Sequence, residues 1–61
     1  MAGMFVLQKS ADGSYFFVLK AGNGETIAQS EMYASKSAAQ SGIASVKENA
    51  PSAPIDDKTG E

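Results

Sequence analysis

Apolar and polar positions alternate in two short runs near the start of the chain. Met4-Phe5-Val6-Leu7-Gln8-Lys9 and residues 14 to 21 are rich in aromatic, aliphatic and β-branched side chains, the kind that suit a pleated, half-buried surface. Two turns of one design, Ala11-Asp12-Gly13 and Gly22-Asn23-Gly24, bracket the second run. Asp or Asn followed by Gly tolerates positive φ at little cost, so each turn reads as a hairpin connection. Glu25-Thr26-Ile27-Ala28-Gln29-Ser30 alternates less strongly and reads as a more exposed third strand. The pattern predicts a three-stranded antiparallel meander.

Loop length then sets the register. With three-residue loops ending on a left-handed Gly13 and Gly24, Phe5 faces Leu19, Leu7 faces Phe17, and Leu19 faces Ile27. One sheet face then carries Phe5, Leu7, Tyr15, Phe17, Leu19 and Ile27. A two-residue turn at Asn23-Gly24 would pair Ile27 with Lys20 and divide the core between the faces, so the three-residue form is preferred.

After Tyr33 the period changes. Ser35 is placed to cap a helix over 36–49, its hydroxyl accepting from an otherwise unpaired N–H. Ala39, Ile43, Val46 and Ala50 recur at i, i+4, i+7 and i+11, which gives one apolar stripe to lie on the sheet. Gly42 costs about 1 kcal/mol of helix propensity relative to Ala, a sign that the helix backbone comes close to the sheet there. Pro51 and Pro54 prevent continuation. The fold class is α+β, a β-β-β-α unit over 1–50 followed by a tail over 51–61. The tail is polar except for Ile55, a β-branched residue between Pro54 and Asp56-Asp57. Such a composition ordinarily stays disordered, but Ile55 could seat a short strand if a sheet edge were available.

Size changes the picture. Sixty-one residues make one domain at most, and a chain this short buries only about 60% of its unfolded surface. Roughly 3,000 Å² of apolar burial gives about 75 kcal/mol, and ordering about 50 residues at about 1.5 kcal/mol each costs nearly the same. Disulfides and metals rescue many small domains, yet this chain has neither cysteine nor histidine. A partner chain is what remains. Met1-Ala2-Gly3-Met4 has no basic residue before a very short apolar run, so no signal peptide or membrane span is expected, and the protein is expected in the cytoplasm. The net charge is −2, with five lysines and no arginine, a balance that disfavours nucleic acid or an anionic membrane as partner.

No catalytic set stands out, and no cofactor or metal is expected. Ser35-Lys36-Ser37 is the one tempting Ser-Lys cluster, but adjacent residues at a helix start do not share a face and Ser35 is already a cap. Asp56-Asp57 falls short of the six to eight oxygens that Ca²⁺ takes. Gly22-Asn23-Gly24-Glu25-Thr26 could form an anion nest, although it lacks the phosphate-loop spacing and a strand follows it. Tyr15-Phe16-Phe17-Val18 is similar to an RNA-stacking platform, yet alternation leaves only Phe16 pointing outward and no basic residues surround it. Weak nucleic-acid binding is the least favoured reading.

Phe5-Val6-Leu7, Phe17-Val18-Leu19-Lys20-Ala21-Gly22-Asn23-Gly24-Glu25-Thr26-Ile27, Ser30-Glu31-Met32-Tyr33 with Ser35-Lys36, and Gly42-Ile43-Ala44-Ser45-Val46-Lys47 resemble the YegP-like family of small bacterial and archaeal proteins. The resemblance covers about residues 3 to 51. It implies β-β-β-α units, either in tandem or as single units that form a homodimer with exchanged C-terminal strands. For this chain it implies a homodimer, with residues 53–57 as the exchanged strand. It supplies no activity, so a non-enzymatic protein-interaction module is expected. The chain departs from the family at Phe16 and Val18, where relatives commonly carry polar residues on the face away from the helix. With Met4, Val6 and Ala28 these would form an apolar strip, read first as surface variation covered by the tail. Val6, Phe16, Val18 and Ile55 are the candidate interaction surface if the strip binds a partner. The alternative is a ligand-binding module or minor enzyme at the dimer seam, where Lys20, Asn23, Tyr33 and Lys36 would gather.

Overall fold

Both hairpin turns follow one plan. In the first, the Gly13 N–H donates to the Ser10 carbonyl at 3.1 Å and the Ser10 N–H to the Ser14 carbonyl at 2.8 Å. In the second, Gly24 donates to Ala21 at 2.9 Å and Ala21 to Glu25 at 2.8 Å. Gly13 and Gly24 sit at φ 90° and 86°, the left-handed position that ends a three-residue hairpin loop. A side chain tightens each turn: Asp12 Oδ1 accepts from the Ser14 N–H and Asn23 Oδ1 from the Glu25 N–H, both at 3.0 Å.

The computed structural model describes residues 3–61. Met1 and Ala2, which open the N-terminal run read above, lie outside the described residues. Strands β1 (Met4–Lys9), β2 (Tyr15–Lys20) and β3 (Thr26–Gln29) form one antiparallel sheet in the order β1-β2-β3. Phe5 lies opposite Leu19 and Leu7 opposite Phe17, as the loop length requires.

The second register differs from the sequence expectation. Lys20 pairs with Thr26, but Leu19 then pairs with Ala28 and Val18 with Gln29, with a bulge at this step. Ile27 therefore does not face Leu19, and it is 60% exposed. Ala28, expected on the opposite face, takes the position opposite Leu19. The turn is as expected; what gives way is the strand beyond it. The helix lies over β2 and β1 and not over β3, so no packing from above holds Ile27 to the core, and an edge strand accepts an extra residue cheaply.

Beyond β3 the chain stays bound to β2. The Ser30 N–H donates to the Phe17 carbonyl, and the Ser30 hydroxyl oxygen accepts from the Phe17 N–H, both at 2.9 Å. Tyr33 and Tyr15 then exchange two backbone hydrogen bonds of 2.7 and 2.8 Å. Helix α1 (Lys36–Asn49) follows directly, and the Ser35 hydroxyl accepts from the Ala38 N–H at 3.1 Å. The cap is the one expected from sequence.

The core sits between α1 and the strands β1 and β2. Phe17 and Ala39 are buried at 6% and 0% exposure. The Phe17 ring meets Phe5 edge-on at 5.9 Å and lies nearly parallel to Tyr33 at 6.2 Å. Gly42 sits above this cluster: a Cβ there would lie 2.6 Å from Tyr33 Oη and 3.1 Å from Phe17 Cε2. Of the expected helix stripe, Ala39 is buried, Ile43 and Val46 are half-buried, and Ala50 is exposed because it begins a single 3₁₀ turn, Ala50–Ser52. From Ala53 onward the chain carries no strand or helix, and every residue is exposed.

The first turn has a pH signature. Hydrogen bonds from the Ser10 hydroxyl and the Ser14 N–H lower the Asp12 pKa below its ordinary 3.8. A carboxyl whose pKa is depressed in the fold stabilises it above the unfolded value, and the contribution fades as pH falls through the folded value. Carbon-detected NMR titration is expected to place Asp12 below 3.8, and Ser10→Ala to return it toward the ordinary value.

Candidate functional site

The proposed seam residues divide between the two ends of the sheet. Lys20 ends β2 and Asn23 lies in the β2–β3 turn, whereas Tyr33 pairs with Tyr15 at the start of β2 and Lys36 opens α1. Five residue steps at about 3.3 Å each, from Tyr15 to Lys20, separate the pairs by roughly 17 Å, so one chain does not bring the four together. Tyr33 serves packing, with its ring against Phe17 and its hydroxyl beneath Gly42. Asn23 spends its side-chain oxygen on the turn.

The apolar strip also changes. Val18, expected on an exposed face, is buried at 6% exposure. It sits in the middle of the central strand, between Val6 on β1 and Gln29 on β3, and this flanked position shields a short side chain on either face. Val6 and Phe16 are half-buried, and Met4 is 63% exposed. Ile55 is 94% exposed, the most open large apolar side chain among the described residues.

The remaining candidates resolve into local structure. Ser35 and Ser37 lie 3.3 Å apart, oxygen to oxygen, while Ser35 holds the helix start. In the Gly22–Thr26 turn, the N–H groups of Gly24 and Glu25 are used by Ala21 and Asn23, which leaves little of an anion nest. Asp57 Oδ1 accepts from the Thr59 N–H at 2.9 Å and the Thr59 hydroxyl at 2.7 Å, and these bonds lower its pKa. Asp56 lies 3.7 Å from Lys58 in an exposed ion pair. Among the described residues no three His, Cys, Asp or Glu side chains cluster as a metal site would need. Nor is any described helix long and apolar enough to cross a membrane.

One feature escaped sequence reasoning. Leu7, Gln8 and Lys9 of β1, Tyr15 of β2 and Lys36 of α1 line an open groove of about 420 Å³. Leu7 and Tyr15 give the lining its apolar surface, and Lys9 and Lys36 give it two cations. The Lys9 ammonium lies 5.5 Å from the Tyr15 ring centroid, in cation–π range. Lys9 and Lys36 are 27 positions apart, and only the return of the chain at Tyr33 beside Tyr15 brings the helix start over the end of β1. The available sequence signal was that Leu7 and Lys9 share a strand face.

These features define a class: a small α+β unit of β-β-β-α order that presents a groove with two lysines and an exposed, mostly polar tail carrying Ile55. A solution NMR structure of a protein from Haloferax volcanii has the same fold, with a TM-score of 0.82 and 38% identity over 92% of this chain and 95% of that one. The family described as a domain of unknown function (DUF1508) matches residues 10–57. The chain belongs to this family, whose curated relatives carry the name UPF0339 and include YegP. The UPF0339 protein YegP of Escherichia coli K12 is 63% identical over 51 residues, covering 84% of this chain and 46% of that protein. A UPF0339 protein of Treponema denticola is 51% identical over 55 residues, covering 90% of this chain and 95% of the relative. The chain thus spans about half the length of YegP and nearly all of the Treponema protein.

Proposed function

We propose that two copies of this chain form a homodimer in which each contributes residues 53–57 as a strand to the other's sheet. The dimer serves as a non-enzymatic module that binds another protein. The observation that carries this reading is Ile55, 94% exposed on a segment without a strand partner in its own chain. A β-branched side chain gains about 2 kcal/mol or more from burial, and strand addition is a common way to obtain it.

Two further facts support the pairing. The core is thin, with Phe17, Val18 and Ala39 as its buried apolar residues, so added interface area has a large relative effect. The same unit also occurs in relatives near this length and in relatives about twice as long, room enough for two copies side by side. Val6 and Phe16, half-buried on the face away from α1, are the residues offered to the protein partner.

Light scattering at micromolar concentration tests the assembly. The expected mass is about twice the 6.3 kDa of one chain. A monodisperse monomer with a cooperative melt would overturn the proposal.

A further inference from the structure

Asn23-Gly24 is the one Asn-Gly pair in the chain, and in open chain such a pair is chemically labile. The Gly nitrogen, with no side chain beside it, can attack the Asn side-chain carbon and close a five-membered imide. We propose that Asn23 is a site of this self-modification, that the closed β2–β3 turn holds the reaction back, and that the product loosens the β3 edge. The reaction needs only one chain, so it stands apart from tail exchange.

The bonds made and broken define what the turn must prevent. The Gly24 nitrogen gives its proton to solvent and bonds to Asn23 Cγ, while the side-chain nitrogen leaves as ammonia. Water then opens the imide at one of its two carbonyls. One product is an ordinary aspartyl link, and in the other the main chain runs through the former side chain. Nothing is oxidised or reduced, and water is the only co-reactant.

The closed turn commits both reacting groups elsewhere. The Gly24 N–H donates to the Ala21 carbonyl at 2.9 Å and Asn23 Oδ1 accepts from the Glu25 N–H at 3.0 Å, so attack requires both bonds to break. Water is no obstacle: residues 22–29 are exposed, and a Cβ at Gly24 would meet nothing within 4 Å. Opening of the turn therefore sets the rate. The edge it serves is weakly held, because β3 has four exposed residues, a bulge and no helix above it, and little burial opposes local opening. Asn49 is the internal control. Its amide donates to the Ser45 carbonyl at 2.8 Å, and the methyl of Ala50 hinders attack from the next nitrogen.

The first turn shows what an acid at position 23 would lack. There Asp12 accepts from the Ser10 hydroxyl and from the Ser14 N–H. The matching positions of the second turn are Ala21 and Glu25, so a carboxylate at 23 finds no hydroxyl donor and lies two residues from a second carboxylate. The product with the lengthened main chain also loses the three-residue loop that sets the hairpin.

The full-length chain, held in mildly alkaline buffer with and without denaturing urea and followed by peptide mass analysis, tests the gate. Asn23 is expected to convert at least about tenfold more slowly in the folded chain, and Asn49 to lag behind Asn23 in urea. Ser30→Ala removes the hydroxyl that accepts from the Phe17 N–H at 2.9 Å and leaves the Asn-Gly pair untouched. It is expected to speed conversion several-fold in buffer and not in urea. Equal rates in buffer and urea, or no response to Ser30→Ala, would overturn the gate. Independently, Asn23→Asp is expected to lower the melting midpoint by a few degrees at neutral pH, and adding Ala21→Ser, which copies the first turn, to restore most of it. An unchanged midpoint, or no recovery with Ala21→Ser, would overturn the assigned cost of the acid.

Discussion

Ending the chain after Ala50 is expected to lower the melting temperature by on the order of 10 °C and to leave a monomer in solution. In one chain Ile55 is 94% exposed, so deleting it removes nothing that the isolated fold needs. In an exchanged dimer the same deletion removes an apolar burial of about 2–3 kcal/mol from each subunit. For a domain of this size each 1 kcal/mol moves the midpoint by about 4–8 °C. Ile55→Asp should reproduce the effect with the chain at full length, which separates loss of the side chain from loss of the segment. Melting of the natural protein should also rise with concentration, as for any fold linked to association. Scanning calorimetry at two concentrations decides it: equal midpoints for all three chains would mean that the tail is solvated and joins nothing.

Gly42→Val is expected to destabilise the fold by about 3 kcal/mol through overpacking. A Cβ at this position meets Tyr33 Oη at 2.6 Å, Tyr33 Cζ at 3.0 Å and Phe17 Cε2 at 3.1 Å. Tyr33 has little freedom to swing away. Its backbone makes both hydrogen bonds with Tyr15, and its ring lies nearly parallel to Phe17. Gly42→Ala makes the sharper comparison, because helix propensity favours Ala by about 1 kcal/mol and the packing opposes it. Urea melts are expected to show Gly42→Ala less stable than the natural chain with an unchanged slope. A gain in stability would mean that the helix stands off the sheet.

Much of this architecture could be read from the residues because local chemistry dictates it. Asp12-Gly13 and Asn23-Gly24 chose their loops, the loops chose the β1–β2 register, and Ser35 with Pro51 bounded the helix. Gly42 was legible for the same reason: a glycine inside a helix asks for a close neighbour, and Tyr33 is that neighbour. Ile27 was misread because alternation assumes an unbroken ladder, and nothing in Thr26–Gln29 announces a bulge. Val18 was misread because face assignment says where a side chain points and not how fully its flanking strands enclose it. The groove was out of reach altogether, since it exists only where the helix start, the end of β1 and the start of β2 converge. Ser30, which keeps β2 satisfied after β3 ends, looked like an ordinary strand-end serine.

Every strand here pairs with the segment next to it in the chain, and the helix settles back on β2 and β1. Such short-range topology organises quickly, because few distant encounters are needed. Residues 53–57 come after all of these elements, so they leave the ribosome when the rest of the unit has already been built. In the proposed dimer, each copy can therefore complete its own meander and helix first and take up its partner's segment afterwards.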